Sequence, residues 1–371
     1  MGQTQAEPQQ LMRSYLRRIA TGPDLSKPIS RDEACMAMQL ILEQKVDPVQ
    51  AGVFLIALRM KRETEEENRG VLDAIREATR FAVASVKDLV DLADPYDGFS
   101  RHLPASPFLP ALLAVCGLPA VSHGCERLGP KFGVTHRQVL AAAGGAVDLS
   151  PEQAAARIAD PQVGWAYVDQ RHFCPALHHL VELRTLIVKR PCLSTLEKMA
   201  GPVRASGRIH LVVGFVHKGY EQLLPLMARH AGYATALGVR GVEGGVVPPL
   251  RGPVTGVGYR NEGPEETLRL DPAEAGVVTT LRAPALPEET TGGGEESEEE
   301  FPAVDTEKIA GAAAEAGLEA LGGRSGPTRD SLLYAAAAIL WYLGRSDSLP
   351  SAADFARKAL DSGHALSHFR A

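Results

Sequence analysis

Along residues 10 to 83 the apolar positions recur at helical spacing. Ser30-Arg-Asp-Glu33 reads as a capping box ahead of Met36, Leu40 and Ile41. Asp47-Pro48 opens a second helix with proline in its first turn, carrying Val53, Phe54, Ile56, Leu58 and Met60. Thr64-Glu-Glu-Glu67 caps a third, with Val71, Leu72 and Ile75 on one face. A small bundle with so wide an apolar stripe calls for a partner surface. From about residue 88 the pattern changes to short apolar runs alternating with amphipathic stretches. Strands are expected at 89–93, 120–122, 209–216, 234–239 and 277–281. Helices are expected at 107–116, 135–143, 151–158, 219–231 and 327–343. Such alternation predicts an α/β fold: a small all-α N-terminal domain, residues 1–86, followed by a larger α/β domain, residues 87–371. The larger domain is expected to have a mostly parallel central sheet covered by helices.

One stretch breaks the pattern. Residues 283–306 are acidic, Gly-rich and poor in apolar side chains, and include a run of five glutamates at 295–300. They read as a disordered surface loop. The chain as a whole has 371 residues, 45% of them apolar, and a net charge of −6, which excludes a globally basic nucleic-acid binder. Cys35, Cys116, Cys125, Cys174 and Cys192 are odd in number and never spaced as Cys-x-x-Cys. That argues against a disulfide framework or zinc site and for a reducing compartment. With no apolar signal core and no bilayer-length apolar run, a cytoplasmic protein that does not engage a membrane is expected.

The most informative stretch runs from Gly117 to Gly145. It reads as a short buried strand, a Gly-rich loop holding Lys131, and a helix starting near Thr135. Such a loop presents backbone N–H groups and a helix start to an anion, or serves only as a strand-to-helix turn. Cys125 in this loop is either a thiol nucleophile or a packed side chain, and no partner base stands at a diagnostic spacing.

This stretch resembles the Lys-His-Gly-Asn-Arg…Lys-Ser-Gly loop of the anthranilate phosphoribosyltransferase family (glycosyl transferase family 3). His123, Gly124, Lys131 and Gly133 stand at its His, Gly, Lys and Gly. The resemblance extends over nearly the whole chain. Residues 51–67 are similar to the family's small N-terminal domain, which helps to make a homodimer. His172-Phe-Cys-Pro-Ala-Leu-His178 and Met199-Ala-Gly-Pro202 match Phe-Ala-Pro-x-x-His…Leu-Gly-Pro, and Gly326-Pro-Thr-Arg-Asp330 matches the C-terminal signature. The resemblance implies a nucleoside phosphorylase/phosphoribosyltransferase-like fold, with helices from about 173–200 joining the N-terminal domain in space. It also implies substrate-binding positions, if the chain is active, at Ser106, His123, Gly124, Lys131, Gly133 and His178.

The family's chemical motifs depart sharply here. Its pyrophosphate loop, Gly-Thr-Gly-Gly-Asp, falls on Asp94-Pro-Tyr-Asp-Gly98, where two carboxylates replace glycines and Pro95 has no N–H. Of the following Asn-x-Ser-Thr only Ser106 survives. The Asp-Glu pair that holds Mg²⁺ falls on Val246 and Val247, which offer no oxygen, so no Mg²⁺ cofactor and no other metal is expected. The anchor-loop Asn and Arg are Cys125 and Glu126, and the arginine that faces the aromatic acid falls on Val188.

Charge is unevenly spread. Residues 171–260 carry 12 Lys or Arg against 4 Glu, and residues 261–307 carry 2 Arg against 14 acids. In the family's fold the first part of the basic block lies along the interdomain cleft. Arg171, Arg184, Lys189, Arg190, Lys198, Arg204 and Arg208 are therefore candidates for a groove that tracks a phosphate backbone, or for a solvated face balanced elsewhere. A branch of the family fits the first description, being dimeric, without the transferase motifs and nucleic-acid-binding. The expectation is a catalytically silent, nucleic-acid-binding homodimer. The alternatives are a transferase of altered specificity and a regulatory scaffold.

Overall fold

The computed structural model describes residues 7–22, 24–288 and 304–371. Four helices come first: α1 (Pro8–Ile19), α2 (Arg31–Leu42), α3 (Pro48–Lys61) and α4 (Glu65–Ala78). The expected caps are in place. Ser30 and Glu33 form a reciprocal capping box, as do Thr64 and Glu67, and the Asp47 carboxylate accepts the Val49 N–H. Helices α2 and α4 touch closely at Gly70, where a Cβ would stand 2.2 Å from the Arg31 carbonyl oxygen. Short helices at Pro175–His178, Val181–Leu186 and Leu193–Leu196 pack onto this bundle, with Leu183 and Ile187 meeting α3 at Gly52.

Nine strands follow among the described residues: β1 (Ala82–Ala84), β2 (Asp88–Ala93), β3 (Ala120–Gly124), β4 (Trp165–Asp169), β5 (Val203–Ala205), β6 (Arg208–Gly214), β7 (Thr235–Val239), β8 (Val254–Tyr259) and β9 (Glu265–Leu270). β1 and β5 pair alone, in parallel. The others form one sheet in the order β4-β3-β2-β6-β7-β8-β9, parallel from β4 to β7 and antiparallel thereafter. Connections run outward in opposite directions from β2 and β6. A crevice therefore opens at their carboxyl ends, where α/β sheets place ligands.

Period-two alternation sorts β2 between two cores. Leu89 and Ala93 join the helical bundle, while Val90 and Leu92 face the C-terminal helices. Those helices are Thr306–Leu321, Pro327–Tyr342, Leu349–Asp361 and His364–Arg370. The last one seals the sheet edge: the Trp165 indole stacks on Phe369, centroids 5.1 Å apart, and its Nε1 donates to the His368 carbonyl at 2.9 Å.

Two expectations need correction. Residues 277–281 form no strand: they follow the short Pro272–Ala275 turn, and Val278 is 89% exposed. The sheet is extended instead by the β8–β9 hairpin. Both ends of the stretch expected as a loop at 283–306 are packed or helical. Ala283 is buried, the Pro284 carbonyl accepts the Leu103 N–H, and Thr306 begins a helix. Its glutamate run at 295–300 lies outside the described residues. No helix among the described residues is long and apolar enough to cross a membrane.

Candidate functional site

The loop leaving β2 places Asp94 beneath the loop leaving β7. Asp94 Oδ1 accepts the Val246 N–H at 2.6 Å, and Oδ2 accepts from His136 Nε2 at 2.5 Å. The same imidazole nitrogen lies 2.9 Å from Ser106 Oγ. Burial pushes the Asp94 carboxyl up, but His136, Ser106 and the Val246 N–H outweigh it and hold it below the usual carboxylate range. His136 opens the helix His136–Ala142, whose cap is Thr135, so the strand-to-helix turn fixes the ring.

A second carboxylate sits beside it. Glu243 accepts the N–H groups of Ser100 at 3.0 Å and Arg101 at 2.9 Å, the Lys131 ammonium at 2.7 Å, and His102 Nδ1 at 3.3 Å. Two consecutive N–H groups, an ammonium and an imidazole make an anion cradle, and Glu243 fills it from inside the protein. Burial raises this carboxyl, yet His102, Lys131 and the Ser100 N–H overcome that and hold it down at about 2. The fit is held at a local cost: Glu243 has φ +51°, a left-handed conformation uncommon for a side chain of this size. Gly133 closes the loop against Phe99, where a Cβ would fall 2.5 Å from the Phe99 carbonyl oxygen.

His123 belongs to neither cluster. Its Nε2 lies 2.8 Å from Asp91 Oδ1, its Nδ1 meets the Tyr96 hydroxyl, and Phe173 stands edge-on. Asp91 Oδ2 in turn accepts the Tyr233 hydroxyl at 2.7 Å. All are buried, so His123 ties β3 to β2 rather than facing solvent. Gly124 pairs with Asp169 across to β4. His178 lies in the neighbourhood of Asp169 and Arg171, and burial lowers its pKa.

Comparison with known proteins bears on this arrangement. Residues 13–79 match the glycosyl transferase family, helical bundle domain. The chain is 29% identical to an anthranilate phosphoribosyltransferase of Rhodopseudomonas palustris (strain BisA53), covering 95% of this chain and 94% of that one. It is 28% identical to one of Bradyrhizobium sp. (strain BTAi1), covering 97% of each. Among solved structures, the anthranilate phosphoribosyltransferase of Thermus thermophilus superposes with a TM-score of 0.69 at 20% identity, over 97% of this chain and 99% of that one. The Saccharomyces cerevisiae enzyme in complex with PRPP and Mg superposes with a TM-score of 0.71 at 16% identity, over 96% of each. The chain is anthranilate phosphoribosyltransferase-like.

In this anthranilate phosphoribosyltransferase-like chain the cleft at the β2–β6 crevice is small, about 120 Å³, and is lined by Tyr96, Asp97, Arg190, Lys198, His217 and Glu243 among others. Arg190 pairs with Asp97 at its rim. Lys198 is buried and donates to the Gly214 carbonyl at 2.9 Å. Burial pushes its ammonium down to about 8, against the pull of Asp94, Asp97 and Glu197. Val246 and Val247 are both buried in the apolar core, which leaves no side-chain oxygen at either position for a metal.

The basic groove read from the sequence is largely spent on internal partners. Arg184 is fully buried in a two-pronged bond to Glu197, at 2.6 and 2.8 Å, and is out of reach of a phosphate. Lys198 is buried as well. Arg171 pairs with Asp169 at 2.9 Å, and Arg208 with Asp88 at 2.8 Å. Burial raises the Asp88 carboxyl, but Arg208, His210 and Arg345 hold it down at about 2. Lys189 is exposed, and Arg204 is half-buried over the Phe81 ring. The partners His136, His102 and Asp91 carried no signal in the sequence, because each lies tens of residues from the group that it meets.

Proposed function

We propose that this chain keeps the anthranilate phosphoribosyltransferase-like architecture but works as a homodimeric binding protein, without Mg²⁺-dependent transfer from phosphoribosyl pyrophosphate. The observation that carries this reading is Glu243. A cradle of two N–H groups, Lys131 and His102 that suits an incoming anion is already filled by a carboxylate with four partners. Asp94 does the same to the Val246 N–H. A pyrophosphate would meet two fixed negative charges, at a cost of several kcal/mol where solvent is excluded. The valines at 246 and 247 remove the oxygens that would bring a divalent cation to offset those charges.

Nucleic acid is the ligand class favoured by the cations that keep solvent access, namely Lys189, Arg204 and Arg208. A second reading, a transferase of altered specificity, is supported by relatives named as transferases over nearly the full chain and by Lys198, whose ammonium burial pushes down to about 8 beside the cleft.

The test has two arms. Phosphoribosyl pyrophosphate, anthranilate and Mg²⁺ are expected to give no loss of anthranilate fluorescence above the uncatalysed background; turnover would overturn the proposal in favour of the transferase. A labelled random single strand is expected to bind with a salt-dependent affinity that the K189E/R208E variant weakens. An affinity unaffected by those reversals removes these cations as the nucleic-acid surface.

A further inference from the structure

Arg76 on α4 and Arg204 on β5 line a pocket of about 270 Å³, together with Gly201, Ile209 and Tyr233. None of its lining residues lines the interdomain cleft. What sets the pocket apart is its lack of acids. Arg137, Arg171, Arg184, Arg190 and Arg208 each pair with a carboxylate. Arg76 and Arg204 have no ion pair among the described residues. Arg76 Nη1 donates only to the Met199 carbonyl, at 2.9 Å. Arg204 lies with Cζ 3.6 Å from the Phe81 ring centroid, and its Nε is buried without a hydrogen-bond partner.

Two guanidinium groups facing one pocket without a counter-ion are unfavourable on two counts. Each repels the other, and a buried N–H without an acceptor costs about 1–3 kcal/mol. Burial and the charge of Arg76 both push Arg204 below its usual range. One oxyanion placed between them removes both costs. Its oxygens match the planar donor fork of arginine. Tyr233 gives its hydroxyl hydrogen to Asp91 and shows the pocket no donor, so the two arginines supply the recognition. A tetrahedral group with three or four oxygens and up to two charges has an oxygen for each prong of both forks, where a carboxylate has two to share among them. Gly201 keeps the way open: a Cβ there would press within 3.3 Å of Arg76 Nη1.

We propose that Arg76 and Arg204 form a phosphate-binding site, distinct from the interdomain cleft, that takes the phosphate of a small molecule or of a nucleic-acid strand. The site does not rest on the reading of the cleft. Phe81, 46% exposed, stacks with Arg204 and does not itself line the pocket.

The full chain is titrated calorimetrically with inorganic phosphate, and with a random single-stranded 20-mer, at matched ionic strength. At least one is expected to bind saturably. Arg204→Gln should weaken that binding at least tenfold without lowering the melting temperature of the free protein. Arg204→Lys, which keeps the charge and loses the fork, should weaken it as well. Phosphate binding that the 20-mer does not compete assigns the site to small phosphates. Binding of the 20-mer that millimolar phosphate competes assigns it to a strand. Absence of binding by both probes, or affinities indifferent to both variants, overturns the proposal.

Discussion

The Asp94 carboxylate accepts the Val246 N–H at 2.6 Å, which joins the loop at the pyrophosphate position directly to the loop at the metal position. The two loops therefore stabilise each other, and the Val246 N–H is not free to meet an outside anion. Reinstating the carboxylates with Val246→Asp and Val247→Glu should not restore phosphoribosyl transfer, because Glu243 still fills the anion cradle and Asp94 still stands beside it. Two acids would enter a buried apolar site beside an existing carboxylate. A loss of at least about 3 kcal/mol in unfolding free energy is expected by denaturant titration. A doubly substituted chain as stable as the parent would contradict this account.

Glu243 makes stability depend on acid. Its folded-state pKa, about 2, lies below its ordinary value of 4.5. Because the folded value is the lower one, its contribution is complete above about pH 4.5 and is lost as the pH falls toward 2. The full span is worth about 3 kcal/mol. Urea titrations between pH 7 and pH 2.5 should show a steeper acid limb in the parent than in Glu243→Gln. The variant should also be less stable at pH 7, with Lys131 left without its carboxylate. Parallel limbs would rule out this pair as a source of acid sensitivity.

Arg184 stabilises the fold and has no access to a ligand. Arg184→Met leaves Glu197 buried without its guanidinium partner and should cost about 3–5 kcal/mol. Arg184→Met with Glu197→Met should recover much of that loss. Nucleic-acid affinity of the single variant, measured where it is still folded, should equal that of the parent. A tenfold fall there would return Arg184 to the binding surface.

The N-terminal bundle exposes an apolar groove between α1 and α3, lined by Ile19, Val53, Ile56, Ala57, Met60 and Ile187. Met60 is 74% exposed at its edge. Light scattering should give twice the chain mass of 39.6 kDa for the parent and the single mass for Val53→Glu, Met60→Glu. A monomeric parent at micromolar concentration would contradict a dimer built on this groove.

Four of the sheet strands were legible because a parallel strand buried on both faces reads as an unbroken apolar run. The β8–β9 hairpin was not, and nor was β4, although it too is buried throughout. Val254 to Tyr259 is diluted by Gly256 and Gly258, while Glu265, Glu266 and Arg269 give β9 a polar edge. The run at 277–281 has strand-like composition but pairs with no strand among the described residues. In the site, Asp94 and the two valines were legible as departures from a known motif. Their consequences were not, because Asp94 meets His136 across 42 positions and Glu243 meets Ser100 across 143. No spacing rule spans such distances, and only the assembled sheet brings those groups together.

The seal between Trp165 and the helix His364–Arg370 has a consequence for synthesis. The indole waits 203 residues for its backbone acceptor at His368. At ~5–20 residues per second, the ribosome takes about 10–40 s to supply it. Throughout that interval the sheet has an open, aromatic flank on a nascent chain. Completion of the larger domain therefore waits for synthesis of this helix, and the interval is the one in which a chaperone has something to hold.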